Sequence, residues 1–210
     1  MTISDMKVGT QVVADGTITE MRGTKDGSQA VQDSHAKYQE AVYRGNVFIA
    51  SNQALATLQT GLTTIQTGLG LYNPVQSGKI LVIWRASCVF TLAQPTASAV
   101  VGLLLATNTL QAAPTSQTVA TYRNALAGSN TAPSAIPLVA GTLAAAPVFG
   151  PVMGLRNTGA ITVDTQPGAI KEWFDGAIQV YPGAYVGFGI SIAPAATSFW
   201  GDIIWEEIAV

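Results

Sequence analysis

Charge is the scarcest commodity in this 210-residue chain: Asp, Glu, Lys and Arg make up 10% of it, against about a quarter in ordinary soluble domains. A monomer with so few charges has little with which to coat itself, so part of its surface is expected to lie against other protein. The net charge of −2 and pI near 5.2 argue against a nucleic-acid partner, which calls for a basic stripe. Cys88 is the sole cysteine, which excludes an intrachain disulfide and a cysteine-based metal site. It reads as a small buried strand residue. His35 is the sole histidine, far in sequence from Cys88, so Ser/His/Asp and Cys/His catalysis lack their usual base. No apolar run reaches 18 residues and no apolar leader opens the chain, so neither a membrane span nor a signal peptide is expected. Synthesis in a reducing cytoplasm is the simplest reading.

What remains is apolar and small: 48% hydrophobic residues, with Ala, Gly, Ser and Thr abundant. The C-terminal end is the most legible. Pro182-Gly183 suits a turn, because Pro presets φ and Gly accepts φ > 0. After it, Val186, Phe188, Ile190 and Ile192 alternate with Gly187, Gly189 and Ser191, the period of a half-buried strand. Another strand follows with Trp200, Ile203, Ile204 and Trp205. Residues 79–92 predict a long strand. Ile80, Val82, Trp84, Ala86, Cys88, Phe90 and Leu92 take one face, with Arg85, Ser87 and Thr91 on the other. Residues 100–105 read as a second apolar strand, and 161–163 and 170–174 as short ones. The stretch 107–150 is rich in Ala, Pro, Thr and Ser and predicts loop with short strands and one short helix over 118–127 ending at Gly128. Strands of this kind joined by long loops predict an all-β fold, a jelly-roll-type antiparallel β-sandwich.

Residues 1–45 hold half of all charged residues and two Asp-Gly turns, Asp15-Gly16 and Asp26-Gly27. No core of their own is visible. They predict an extended N-terminal arm, with a short helix over 34–44 capped by Ser34 and ended by Gly45. The expected division is an arm over 1–50 and a sandwich over 51–210.

Candidates for chemistry are few. Glu206 and Glu207 are adjacent, so on a strand they point to opposite faces and cannot act on one substrate as neighbours. Asp202 and Glu206 share a face about 13 Å apart, too far for a glycosidase pair. Asp164 and Asp175 match no calcium loop. Gly187-Phe188-Gly189 sits inside a strand and opens no dinucleotide site. No catalytic, metal or cofactor residue is assigned. Trp173, Trp200 and Trp205, with Tyr181 and Tyr185, present two options: a stacking platform for carbohydrate, or bulk filling a core otherwise built from Ala and Gly. The core is the expectation. Charge placement adds one more. Lys79, Arg85, Arg123 and Arg156 are the charges between Arg44 and Asp164, and acidic residues follow from Asp164 onward. That asymmetry suits head-to-tail pairing of copies or, more simply, a sparse solvated set.

Several segments resemble small virion proteins of tailed bacteriophages. They include Asp15-Gly16-Thr17, Lys25-Asp26-Gly27-Ser28 and Tyr43-Arg44-Gly45-Asn46-Val47-Phe48. Leu71-Tyr72-Asn73-Pro74, Ser77-Gly78-Lys79, Tyr122-Arg123-Asn124-Ala125-Leu126, Asp175-Gly176-Ala177-Ile178 and Trp205-Glu206-Glu207 belong with them. The resemblance implies a capsid cement or decoration protein on the virion exterior. Such proteins sit as dimers or trimers and clamp neighbouring copies of the major capsid protein; the resemblance carries over no catalytic residue, and no enzyme activity is expected. The apolar, charge-poor composition predicts a homo-oligomer, a homotrimer in preference to a dimer, and charge and hydropathy predict no nucleic-acid or membrane partner. The alternative the resemblance leaves is a receptor- or glycan-binding virion module, such as a head-fibre or tail component.

Overall fold

The computed structural model describes residues 36–58, 60–90, 99–106, 112–156, 169–192 and 199–210. By its internal contacts the chain divides after Glu40, and the unit described here is Ala41–Val210. His35, Asp164, the strand expected over 161–163 and almost all of the expected arm lie outside the described residues. A five-residue helix, α1 (Gln39–Tyr43), is what stands of the helix expected over 34–44. Gly45 ends it at φ 74°, where its N–H bonds back to the Val42 carbonyl at 2.9 Å.

The rest is strand: β1 (Val47–Ser51), β2 (Ile65–Tyr72), β3 (Lys79–Phe90), β4 (Ala99–Ala106), β5 (Thr115–Val119) and β6 (Thr121–Asn124). Then come β7 (Ile136–Thr142), β8 (Pro147–Arg156), β9 (Ile170–Val180), β10 (Tyr185–Ile190) and β11 (Phe199–Ala209). They form two antiparallel sheets, β6-β1-β11-β3-β9 and β5-β7-β2-β10-β4-β8, packed face to face as an all-β sandwich. The division expected at residue 50 is corrected: Val47–Ser51 pairs with β11 on one side and β6 on the other, so it belongs to the sandwich. The helix expected over 118–127 is also corrected. Thr118, Val119, Thr121 and Tyr122 stand in β5 and β6, because β-branched and aromatic residues fit a pleated surface better than a helix. Pro147 and Pro151 lie within β8, an edge strand, where a missing N–H is tolerated.

The core sits between the sheets. Phe188 from the six-stranded sheet meets Phe199 of the five-stranded one at 5.2 Å between ring centroids. Phe90 meets the same ring at 5.9 Å, and Phe48 meets Trp205 at 5.8 Å. Leu69, Leu71, Val186, Ile190 and Ile203 complete the layer, and Cys88 is buried in it. Asn73 ties one end of the sandwich: its Nδ2 donates to the Lys79 and Val180 carbonyls, each at 2.8 Å. Its backbone also holds the Pro182-Gly183 turn, Gly183 having φ 81°.

The strict alternation expected along residues 80–92 holds only in part. Ala86, Cys88 and Phe90 face the core as expected. Toward the start of β3 the inward residues are Leu81 and Ile83, not Ile80, Val82 and Trp84. The register explains it. Ile204 pairs with Arg85 and Trp205 with Ile83, leaving Trp84 as an extra residue. One bulged residue reverses the parity of everything before it. On the other side of β3, residues 174–177 of β9 oppose that same tryptophan. There Asp175 (φ 48°) and Gly176 (φ 88°) turn the edge strand out of its pleat.

Candidate functional site

The register defines the outward face of the five-stranded sheet, because directly paired residues share a side. One row across it reads Ser51, Asp202, Ser87 and Lys171; the next reads Ile49, Ile204, Arg85 and Trp173. Trp200 pairs with Val89 on the far side of the polar row. The tryptophans expected in the core therefore divide. Trp205 is fully buried and Trp84 nearly so, whereas Trp173 is 46% and Trp200 38% exposed. Strand parity is the cause: Trp205 lies in phase with Phe199 and Ile203, and Trp200 lies one residue out of phase. Tyr185 is buried and Tyr181 is exposed beyond the end of β9.

Charged groups frame Trp173. The Arg85 guanidinium carbon and the Lys171 ammonium each lie 5.6 Å from its ring centroid, inside cation–π range. Arg85 also donates to Asp202 Oδ2 at 2.6 Å, and Ser87 Oγ donates to Asp202 Oδ1. A mid-chain cation thus meets the acidic C-terminal segment within one sheet of one chain. Lys171 makes no ion pair among the described residues.

The adjacent glutamates do point to opposite faces. Glu207 is buried and accepts from the backbone N–H groups of Ser134 and Ala135, each at 2.9 Å, and from Trp205 Nε1 at 3.3 Å. It anchors the segment before β7. Glu206 is half-buried on the outward side, paired in register with Val82. Burial pushes its carboxyl above the ordinary value, and a hydrogen bond from the Trp84 side chain opposes that rise. Among the described residues no group of three or more His, Cys, Asp or Glu stands close enough to hold a metal ion, and no helix is long and apolar enough to cross a membrane.

This face presents two accessible indoles, an ammonium, and a carboxylate whose charge a guanidinium offsets. Arg85, Ser87 and Lys171 were not singled out as a group by sequence reasoning. The readable signal was that Arg85 and Ser87 lie opposite the apolar residues of β3; which strands flank β3 was not readable. No protein-family model, curated protein or solved structure matches the chain.

Proposed function

We propose that the chain is a structural virion protein of the capsid cement or decoration kind, oligomeric and without catalytic activity. Its sandwich would be a jelly roll. The strand order supports this: β1-β11-β3-β9 in one sheet and β2-β10-β4-β8 in the other pair first with last and second with second-last, as a hairpin rolled on itself does. In this reading β5, β6 and β7 are an insertion between its fourth and fifth strands.

The observation that carries the reading is apolar surface left uncovered on strands that resist edge pairing. Val119 is 57% and Val152 64% exposed, on the outermost strands β5 and β8 of the six-stranded sheet. These strands are poor templates for strand addition. β8 carries Pro147, Pro151 and register shifts. β5 has Ser116 at φ 51° and broken pairing. In the other sheet, β6 is four residues long and β9 carries the Asp175-Gly176 bulge. Association then runs through side-chain faces and loops, as in a clamp laid on a shell. Each 100 Å² of apolar surface so covered contributes about 2.5 kcal/mol before ordering costs, and several such contacts in one oligomer multiply retention. A homotrimer holding the major capsid protein on the virion exterior remains the favoured arrangement. Sedimentation of the purified protein, together with its binding to undecorated heads, tests this. A stable monomer at micromolar concentration that ignores heads would overturn it.

A second reading has its own observation. The exposed Trp173 and Trp200 beside polar side chains favour a receptor- or glycan-binding virion module, such as a head-fibre or tail component. Binding of saccharides that survives in the isolated protein separates it from the first.

A further inference from the structure

The outward face of the five-stranded sheet places two indoles on either side of a polar row. Trp200 and Trp173 stand two strands and four residues apart, roughly 17 Å at their backbones from ordinary sheet spacings. That span suits an oligosaccharide and exceeds one sugar ring. A pyranose presents a flat array of weakly positive C–H groups, which complements the negative face of an indole. Between the indoles lie groups that can address hydroxyls. Asp202 accepts hydrogen bonds, and Arg85 and Ser87 already fix its carboxylate. A carboxylate held in this way meets a ligand without reordering.

The charge pattern narrows the ligand further. The Arg85 cation is matched by Asp202 at 2.6 Å. Lys171 is not matched by any carboxylate among the described residues, yet it is held beside Trp173. A neutral sugar would leave that ammonium unanswered, and a carboxylated one would meet it with a charge-assisted hydrogen bond. Asp202 and Lys171 also weigh against a protein-interface core here, because Asp and Lys are depleted from such cores.

We propose that this face binds an acidic saccharide. Trp173 and Trp200 serve as stacking surfaces, Lys171 receives the sugar carboxylate, and Asp202, set by Arg85 and Ser87, accepts from hydroxyls. The proposal rests on the second reading above, ligand binding by a virion module, and does not require the first.

The test uses the full chain in its native oligomeric state, titrated by calorimetry and tryptophan fluorescence. The probes are oligogalacturonate, oligohyaluronate, oligoalginate and oligosialate, each beside its methyl ester, which keeps the sugar and removes the charge. The expected result is that at least one acid binds and its ester binds about tenfold more weakly. Lys171→Gln lowers affinity for the acid by the same factor and leaves the ester unaffected. Trp173→Ala weakens both. Equal binding of acid and ester would overturn the acidic ligand while retaining a saccharide site. Binding of none of the probes would overturn both. Dissociation of the oligomer by Trp173→Ala or Trp200→Ala, with unchanged circular dichroism, would assign the face to a protein contact and overturn the proposal.

Discussion

Each sheet carries aromatic residues on the side turned away from the shared core, and the two sides end differently. On the six-stranded sheet, Tyr72 and Tyr185 are buried with Leu138 and Leu143 in a second small cluster. On the five-stranded sheet, Trp173 and Trp200 stay open. The cause lies in what each sheet sets beneath its rings. Gly70 and Gly187 are paired across β2 and β10, and the Tyr185 ring occupies the space their side chains would take. A Cβ on Gly187 would come within 2.0 Å of the Tyr185 hydroxyl oxygen, and one on Gly70 within 2.1 Å. A glycine-floored sheet lets an aromatic lie down and leave water. A floor of Arg85, Ser87, Asp202 and Lys171 keeps the indoles beside hydrated charge. Small residues on an outward strand face therefore signal a covered aromatic, and charged ones an available aromatic.

The adjacent glutamates carry the same contrast, and the inward one is expected to show the largest effect. Ser134 and Ala135 N–H bond different oxygens of Glu207; Glu207→Gln keeps one acceptor oxygen and sets an amide N–H₂ against the other N–H. Unfolding free energy should fall by about 2–3 kcal/mol, read by chemical denaturation. A loss within about 0.5 kcal/mol would mean that water replaces the carboxylate there. Next comes the floor of the closed side. Gly187→Ala forces Tyr185 from its place and should lower stability by about 1–3 kcal/mol, with a changed near-ultraviolet tyrosine signal. If Tyr185 stays put and stability holds, glycine is not what seats the ring.

Tyr185→Phe is expected to go the other way. Its hydroxyl is buried without a hydrogen-bond partner among the described residues, and burial raises its pKa well above the usual tyrosine value. Removing the oxygen should raise stability by about 1 kcal/mol; a loss of that size would reveal a partner for it. On the open side, Trp173→Ala and Trp200→Ala should each change stability by no more than about 1 kcal/mol, since both indoles are exposed and Trp173 adds an exposed cation–π contact. A larger loss in thermal unfolding would make that side part of the fold's support.

The smallest effect belongs to Glu206 and depends on pH. Burial raises its carboxyl pKa in the folded state, so the fold holds this proton more tightly than the unfolded chain does. Its contribution to stability is full below the ordinary glutamate range and is lost as pH rises through the raised value. Glu206→Gln removes that loss. The variant should therefore lose less stability than the parent as pH rises from the ordinary glutamate range toward neutrality, with no decrease at neutral pH. A steeper decline in the variant would mean that the folded state favours the ionised carboxylate of Glu206.

Local pattern was enough to place several of the strands. The alternation of Val186, Phe188 and Ile190 with glycine, the described part (79–90) of the strand expected over 79–92, and the turn at Pro182-Gly183 stand where periodicity put them. The opposite orientations of Glu206 and Glu207 and the burial of Cys88 were equally legible, because each follows from strand geometry alone. Side-chain parity near Trp84 was not. A bulge is set by the partner strands, and no composition within β3 announces it. Nor was the division of the tryptophans between core and surface, which depends on phase relative to neighbours on β3 and β11. The sequence by itself determined an all-β chain, the places of its most regular strands and its single histidine and cysteine, since these depend on residue type and spacing. Only the tertiary structure brought Lys171, Arg85, Ser87, Asp202 and two tryptophans from β9, β3 and β11 onto one face. Cross-strand register is a property of pairing between distant segments, and no local stretch of chain carries it.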